Sequence, residues 1–262
     1  MSPGTNHGIC TLSVVPARKE PSDRSEMVTQ LLFGELFTVL ARKEQWVCIK
    51  TTYDQYECWI DIKQCQLLYE EVFESIRDSK VAVASDLVTV LKNNETGHFF
   101  PIVAGSSLPH FRSNQLRIDK TTFTYEGEIA LDARPNREQV VESAYLYLNT
   151  PYLWGGRSPF GIDCSGFTQI VYKMNGLKIA RDAHQQAEQG KPLNFVEEAQ
   201  EGDLAFFDNK DGKIIHTGII LKNGRIIHAS GKVRVDSFDH NGIFNVEQEQ
   251  YTHRLRIIKT FI

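Results

Sequence analysis

The stretch GIDCSGF, Gly161 to Phe167, sets one thiol, Cys164, between an aspartate and a Ser-Gly pair at the head of an apolar helical pattern. A lone cysteine beside a helix is more often a small packed residue than a nucleophile. Its position argues for more. A helix N-terminus offers unpaired N–H groups and the positive end of the helix dipole, which favour thiolate and lower the thiol pKa. The same amides can face a developing oxyanion. Gly155, Gly156, Gly161 and Gly166 around the thiol would let a substrate backbone approach closely. A thiol nucleophile also needs a base, and the base needs an orienting partner. His216 and His228 stand on two strand-like runs, KIIHTGIIL and RIIHASG, that flank Lys222-Asn223-Gly224. A two-residue turn would put them on opposite faces. A three-residue loop with Gly224 left-handed pairs Leu221 with Arg225, sets His228 opposite Gly218 and puts both histidines on one face, with Gly218 leaving the space above the sheet open. The three-residue loop is expected, with His216 as base and His228 as orienter.

The elements that must position these groups follow from periodicity. Asp163 is an N-cap, Phe167, Ile170, Val171 and Met174 recur at helical spacing, and Asn175-Gly176 closes that helix. Upstream, Asn136 and Gln139 form a capping box. Val140, Val141, Ala144, Tyr145 and Leu148 make one apolar face, and Pro151 ends the helix. DLAFFD, KIIHTGIIL and RIIHASG are rich in strand formers. Helices first and an antiparallel sheet afterwards predict an α+β domain over residues 132–262. Short β-like runs from Cys10 to Leu68 predict a small barrel, residues 1–70. Residues 71–131 carry further strand-like pieces, DLVTVLKN, HFFPIVAG and TTFTYEGEIAL, with GSSLPHFRSNQ reading as an irregular loop.

The ordered motifs PYLWGGRSPFGIDCSGF, GDLAFF, HTGIIL and IIHASG resemble the NlpC-type cell-wall cysteine peptidase family, whose fold is a reduced papain. The resemblance implies Cys164 as nucleophile, His216 as base and His228 as orienter. It implies Tyr152 framing the oxyanion site, with Trp154, Asp163 and Ser165 at the oxyanion or substrate-binding surface. QWVCIKTTYDQYECWID is similar to a bacterial SH3-like module, with Cys58 where that module usually has glycine. The expected architecture is two small SH3-like β-barrels, the second divergent, followed by an α+β papain-like catalytic domain with an antiparallel sheet. That order resembles the γ-D-glutamyl-L-diamino acid endopeptidases, which cut stem peptides between D-Glu and meso-diaminopimelate or Lys. There a free N-terminal L-Ala is held by acidic residues. RDAHQQ supplies Asp182, with Ala183 in place of the usual serine, and Glu26 in SEMVTQLLFGE supplies the other acid, with Tyr56 as a neighbouring wall.

Composition narrows the partners. A net charge of -4 over 262 residues gives no broad basic field, so neither nucleic acid nor an anionic membrane is an expected partner. The 5 cysteines include no Cys-x-x-Cys pair, so neither a disulfide framework nor a zinc site is signalled. The first residues lack a basic start and an apolar core, and no run approaches the roughly 18 apolar residues of a membrane span, which predicts a cytoplasmic protein. The reading is a thiol endopeptidase that hydrolyses the γ-D-Glu to diamino acid bond of murein stem peptides bearing free L-Ala, in murein peptide recycling. It is expected to act as a monomer, without metal or organic cofactor. The alternatives are a wall amidase or cross-link hydrolase of the same fold, and a non-catalytic peptidoglycan-binding protein.

Overall fold

The computed structural model describes residues 5–262. They form two compact units that divide between Ala133 and Arg134. In the first unit a seven-stranded antiparallel sheet runs in the spatial order Met27–Leu32, Val14–Arg18, Glu57–Asp61, Trp46–Thr51, Leu36–Lys43, His7–Ile9, Gln66–Leu68. Val15, Ala17, Leu31, Phe37, Val47, Ile49 and Ile60 make the core on one face, with burial alternating most clearly along Val14–Arg18. Cys58 sits within that core opposite Ile49, so the glycine it replaces is not needed for a turn here.

After a helix, Glu70–Arg77, that sequence reading missed, the chain forms two small antiparallel sheets of four and three strands. The expected second SH3-like barrel thus corresponds to two separate sheets. Part of the predicted loop pairs as the strand Ser107–Leu108 against Ala82–Ala84. The core of these sheets is shared with the first module, for Ile9, Phe33, Leu36 and Leu68 pack in one cluster with Leu91, Ile102, Leu116, Phe123 and Tyr125.

In the second unit the order is α1 (Arg137–Leu146), β1 (Arg157–Ser158), β2 (Gly161–Ile162), α2 (Cys164–Met174), α3 (Ala183–Ala187), β3 (Lys191–Leu193), β4 (Leu204–Asp208), β5 (Ile214–Leu221), β6 (Arg225–Ser230), β7 (Lys232–Asp239), β8 (Gly242–Asn245) and β9 (Gln250–Thr260). The sheet order is β3-β9-β4-β5-β6-β7-β8, and β8 also pairs with β9, so six strands close into an antiparallel barrel with β3 at its edge. Ala205, Phe207, Ile220, Ile226, Phe238, Ile243 and Ile258 fill it, while α2 packs across β5 and β6. Closure leaves none of the six barrel strands as a free edge, and the edge that remains belongs to β3.

Asn136 caps α1 by accepting the Glu138 and Gln139 amides. Its buried face is Val140, Ala144 and Tyr147, whereas Tyr145 and Leu148 of the predicted face are exposed. The helix stops at Leu146, before Pro151 is reached, with Asn149 in the left-handed region (φ 69°). At the end of α2 the Leu177 amide bonds to Tyr172 O and the Gly176 amide to Lys173 O, a Schellman closure at the predicted Asn175-Gly176.

Candidate active site

The head of α2 is built around a buried charge. Asp163 caps the helix through its Oδ1, which accepts the Gly166 amide at 2.6 Å, and its Oδ2 accepts the Gly155 amide at 2.9 Å. The guanidinium of Arg181 forks onto the same carboxylate at 3.0 and 2.6 Å and also donates to Ser165 Oγ at 2.9 Å. A buried ion pair is tolerable only when its remaining hydrogen bonds are made, and here they are. The side chains of Asp163 and Ser165 are therefore spent on holding the glycine loop, the helix and Arg181 together. That corrects their expected place at the substrate surface. Gln186 completes the tie from α3, donating to Ser165 O at 3.0 Å and accepting from Thr168 Oγ1 at 2.8 Å. Gly166 serves packing as well: a Cβ there would lie 2.3 Å from Gly156 O. Gly156 is held the same way, for a Cβ there would lie 2.4 Å from Gly161 O, whereas one on Gly161 would meet the Leu153 side chain at 2.7 Å.

Cys164 is 7% exposed. Burial and the neighbouring Asp163 push its thiol up to about 12, against the Thr217 and Ser165 amides and Arg181, which pull it down. The helix-start amides act in the expected direction, but desolvation outweighs them, so the resting group is a thiol. The Thr217 amide reaches the sulfur where β5 and β6 stop pairing, just past the Gly218–His228 pair. The nucleophile thus lies against the strand residue next to His216. Tyr152 is half-buried, and its phenol is raised by burial first and then by Cys164 and Asp163, which keeps it a hydrogen-bond donor beside the thiol. Trp154 follows on the same loop, 60% exposed.

The hairpin has the expected register, with Leu221 opposite Arg225 and Gly218 opposite His228. Its loop uses two left-handed residues, Asn223 (φ 59°) and Gly224 (φ 61°), where one was expected; asparagine tolerates that region. A Cβ on Gly218 would lie 2.8 Å from His228 Cβ, so the space above it is filled by His228 itself. His216 Nε2 meets His228 Nδ1 at 2.8 Å, and His228 Nε2 meets Asp236 Oδ2 at 3.0 Å. Asp236 is held below the usual carboxylate range by His228 and Arg234 against its own desolvation, so it only accepts. His228 must then carry its proton on Nε2. Both histidines are driven neutral, His216 and His228 alike chiefly by burial. A neutral His228 leaves Nδ1 to accept, so His216 donates from Nε2 and holds its lone pair on Nδ1, the nitrogen left for a thiol proton. Asp236 sets both tautomers.

This arrangement can perform acyl transfer: Cys164 Sγ attacks a carbonyl as His216 Nδ1 takes its proton, the Cys164 amide and Tyr152 face the oxyanion, and His216 returns the proton to the leaving amine. Water then cleaves the thioester.

Residues 149–253 match the model of the NlpC/P60 family, and residues 17–64 match the bacterial dipeptidyl-peptidase Sh3 domain. A protein of Haemophilus influenzae named "Probable endopeptidase" is 33% identical over 131 residues, 49% of this chain and 80% of that one. The chain belongs to the NlpC/P60 family. That is a family of cysteine peptidases, and this chain is a cell-wall peptidase of it. The NlpC/P60 chain also aligns with the γ-D-glutamyl-L-lysine dipeptidyl-peptidase of Bacillus subtilis at 27% identity over 85% of this chain and 74% of the relative. The crystal structure of an NlpC/P60 family protein from Bacillus cereus shares the fold, with a TM-score of 0.82 at 20% identity over 97% of this chain and 99% of that one.

In this NlpC/P60 chain Asp182 opens α3, where its amide bonds Gln185 Oε1 at 3.1 Å, and Ala183 is buried behind it. Glu26 and Tyr56 belong to the first unit: Glu26 lies 3.5 Å from Lys19 Nζ, and Tyr56 packs on the core of the seven-stranded sheet. Sequence reading missed Asp236, Arg181 and His253. On β7 Arg234 and Asp236 alternate with buried or half-buried valines, so a polar face was legible, but its register against His228 was not. His253 on β9 stacks on His216, ring centres 4.1 Å apart at 27°. Among the described residues His216, His228 and His253 form the one group arranged to hold a metal, with one ring nitrogen of each within 4.8 Å of the others.

Proposed function

We propose that this peptidase hydrolyses the γ-D-Glu to diamino acid bond of murein stem peptides that present a free N-terminal L-Ala. The observation that carries the proposal is the mounting of Asp182. It directly follows Arg181, whose guanidinium is bonded to Asp163 and Ser165 in the first turn of the nucleophile helix. A carboxylate on that backbone is fixed with respect to Cys164, and a buried ammonium demands such a partner. The relatives named as γ-D-glutamyl-L-lysine dipeptidyl-peptidases support the same bond. Recognition of a free amine selects peptides already detached from the glycan, because the alanine of an attached stem is acylated. A recycling role follows from that selection. The assay is digestion of L-Ala-γ-D-Glu-meso-diaminopimelate and of its N-acetylated form, with products identified by mass. L-Ala-D-Glu should appear from the free peptide alone. Rapid cleavage of the acetylated peptide would remove the amine-recognition claim.

A further inference from the structure

The third histidine gives the base a second possible chemistry. His228 donates from Nε2 to Asp236, an arrangement that in metal sites orients an imidazole and raises its basicity at the other nitrogen. His253 Nδ1 meets Thr252 Oγ1 at 2.9 Å, and with that hydroxyl turned to Ile243 O, 3.4 Å away, His253 carries its proton on Nδ1 and offers Nε2 to an ion. Imidazoles bound at about 2.0–2.1 Å around a tetrahedral ion have ring centres roughly 5 Å apart. The His216–His228 and His228–His253 pairs already stand at 5.0 and 5.6 Å, nearly perpendicular, while His216–His253 is closer at 4.1 Å. Only His253 has to swing outward. A cleft of about 610 Å³ lined by Asp208, Ile215, Tyr251, Thr252, His253 and Arg254 opens beside it and gives an ion a way in.

We propose that His216, His228 and His253 form an inhibitory site for a divalent transition ion of the zinc class. The ion takes the place of the proton between His216 Nε2 and His228 Nδ1. His216 then carries its proton on Nδ1, the nitrogen that catalysis needs empty. The metal-bound and catalytic tautomers of His216 exclude one another, so zinc is an inhibitor here and plays no part in the hydrolysis. Three neutral imidazoles suit zinc, and Asp236 remains the outer partner of His228.

The test is isothermal calorimetry with zinc chloride on the full chain, free of substrate, so the answer does not depend on which bond the enzyme cuts. Wild type and Cys164→Ala should each bind one zinc with equal affinity, and His253→Phe should weaken binding tenfold or more. Cobalt(II) should give the visible bands of a tetrahedral nitrogen site without a thiolate charge-transfer band. Zinc should inhibit wild type until a chelator is added. Should His253→Phe not fold, His253→Gln is read in the same way. Loss of binding in Cys164→Ala, which would place the ion between thiol and base, overturns the proposal. So does unchanged affinity in the His253 variant, or no binding by wild type.

Discussion

Asp236 controls chemistry without touching substrate. In Asp236→Asn, an amide that keeps its oxygen at the Oδ1 position, where Arg234 Nη2 donates at 2.9 Å, places its nitrogen at the Oδ2 position, facing His228 Nε2 and Arg234 Nε, which lies 2.8 Å from that site. That nitrogen can only donate, so His228 must accept from it and donate to His216, whose Nδ1 then becomes protonated. The variant should lose about 10²–10⁴-fold in kcat with KM little changed, as tautomer errors do in triads of this type. An unchanged kcat would show that the proton order does not depend on Asp236. The same histidines set an acid limit to stability. His216 and His228 are lowered from 6.5 and His253 to about 4, all chiefly by burial. The unfolded chain therefore binds more protons than the folded one below pH 6.5, and the stability present above 6.5 is lost as pH falls toward 4. Asp236, lowered in the fold, adds to the loss in the same direction at lower pH. Urea midpoints should fall between pH 7 and 4.5, and less steeply in His253→Phe. Parallel profiles for the two proteins would contradict the assignment of His253.

The first turn of α2 shows which effect wins when an element serves a site. Elsewhere in a helix, glycine to alanine stabilises by roughly 0.5–1 kcal/mol. At Gly166 the added Cβ meets the Gly156 carbonyl at 2.3 Å and Asp163 Oδ1 at 2.9 Å. Backbone must shift, and overpacking of this kind costs about 1–3 kcal/mol. Gly166→Ala should lower the melting temperature and slow alkylation of Cys164 by iodoacetamide. A stabilised variant with normal alkylation would mean the loop yields freely. The helix itself was legible, because its cap, apolar spacing and closing Asn-Gly are all local signals. So was the β5–β6 hairpin, whose loop length alone decides whether two histidines share a face. The polar ties were not. Asp163 has the same sequence signature whether its carboxylate meets solvent, substrate or Arg181, and only the fold brings residue 181 back to it. The face of α1 was misread for a related reason: Tyr147 and Tyr145 are equally apolar on paper, and tertiary packing chose Tyr147.

At the scale of the molecule, the expected boundary between residues 70 and 71 does not coincide with a division in the core. Phe33 is fully buried, and its ring centre stands 5.9 Å from that of Phe100 and 5.6 Å from that of Phe123, both in the four-stranded sheet that follows. Its carbonyl accepts the Ser107 amide at 2.8 Å. Next to it, Gly34 has φ 77° and comes so near Ser107 O that no side chain fits. The later sheets are thus assembled on a loop of the first module. Three facing aromatic rings carry more than their areas alone, and a phenylalanine to alanine change at such a site costs about 3–5 kcal/mol. Phe33→Ala should therefore speed amide hydrogen exchange in Val88–Asn93 and Thr121–Tyr125 at least as much as in Trp46–Thr51, which packs on a core of its own. Wild-type protection of those two strands in the variant would mean that residues 71–131 hold together independently of the first module.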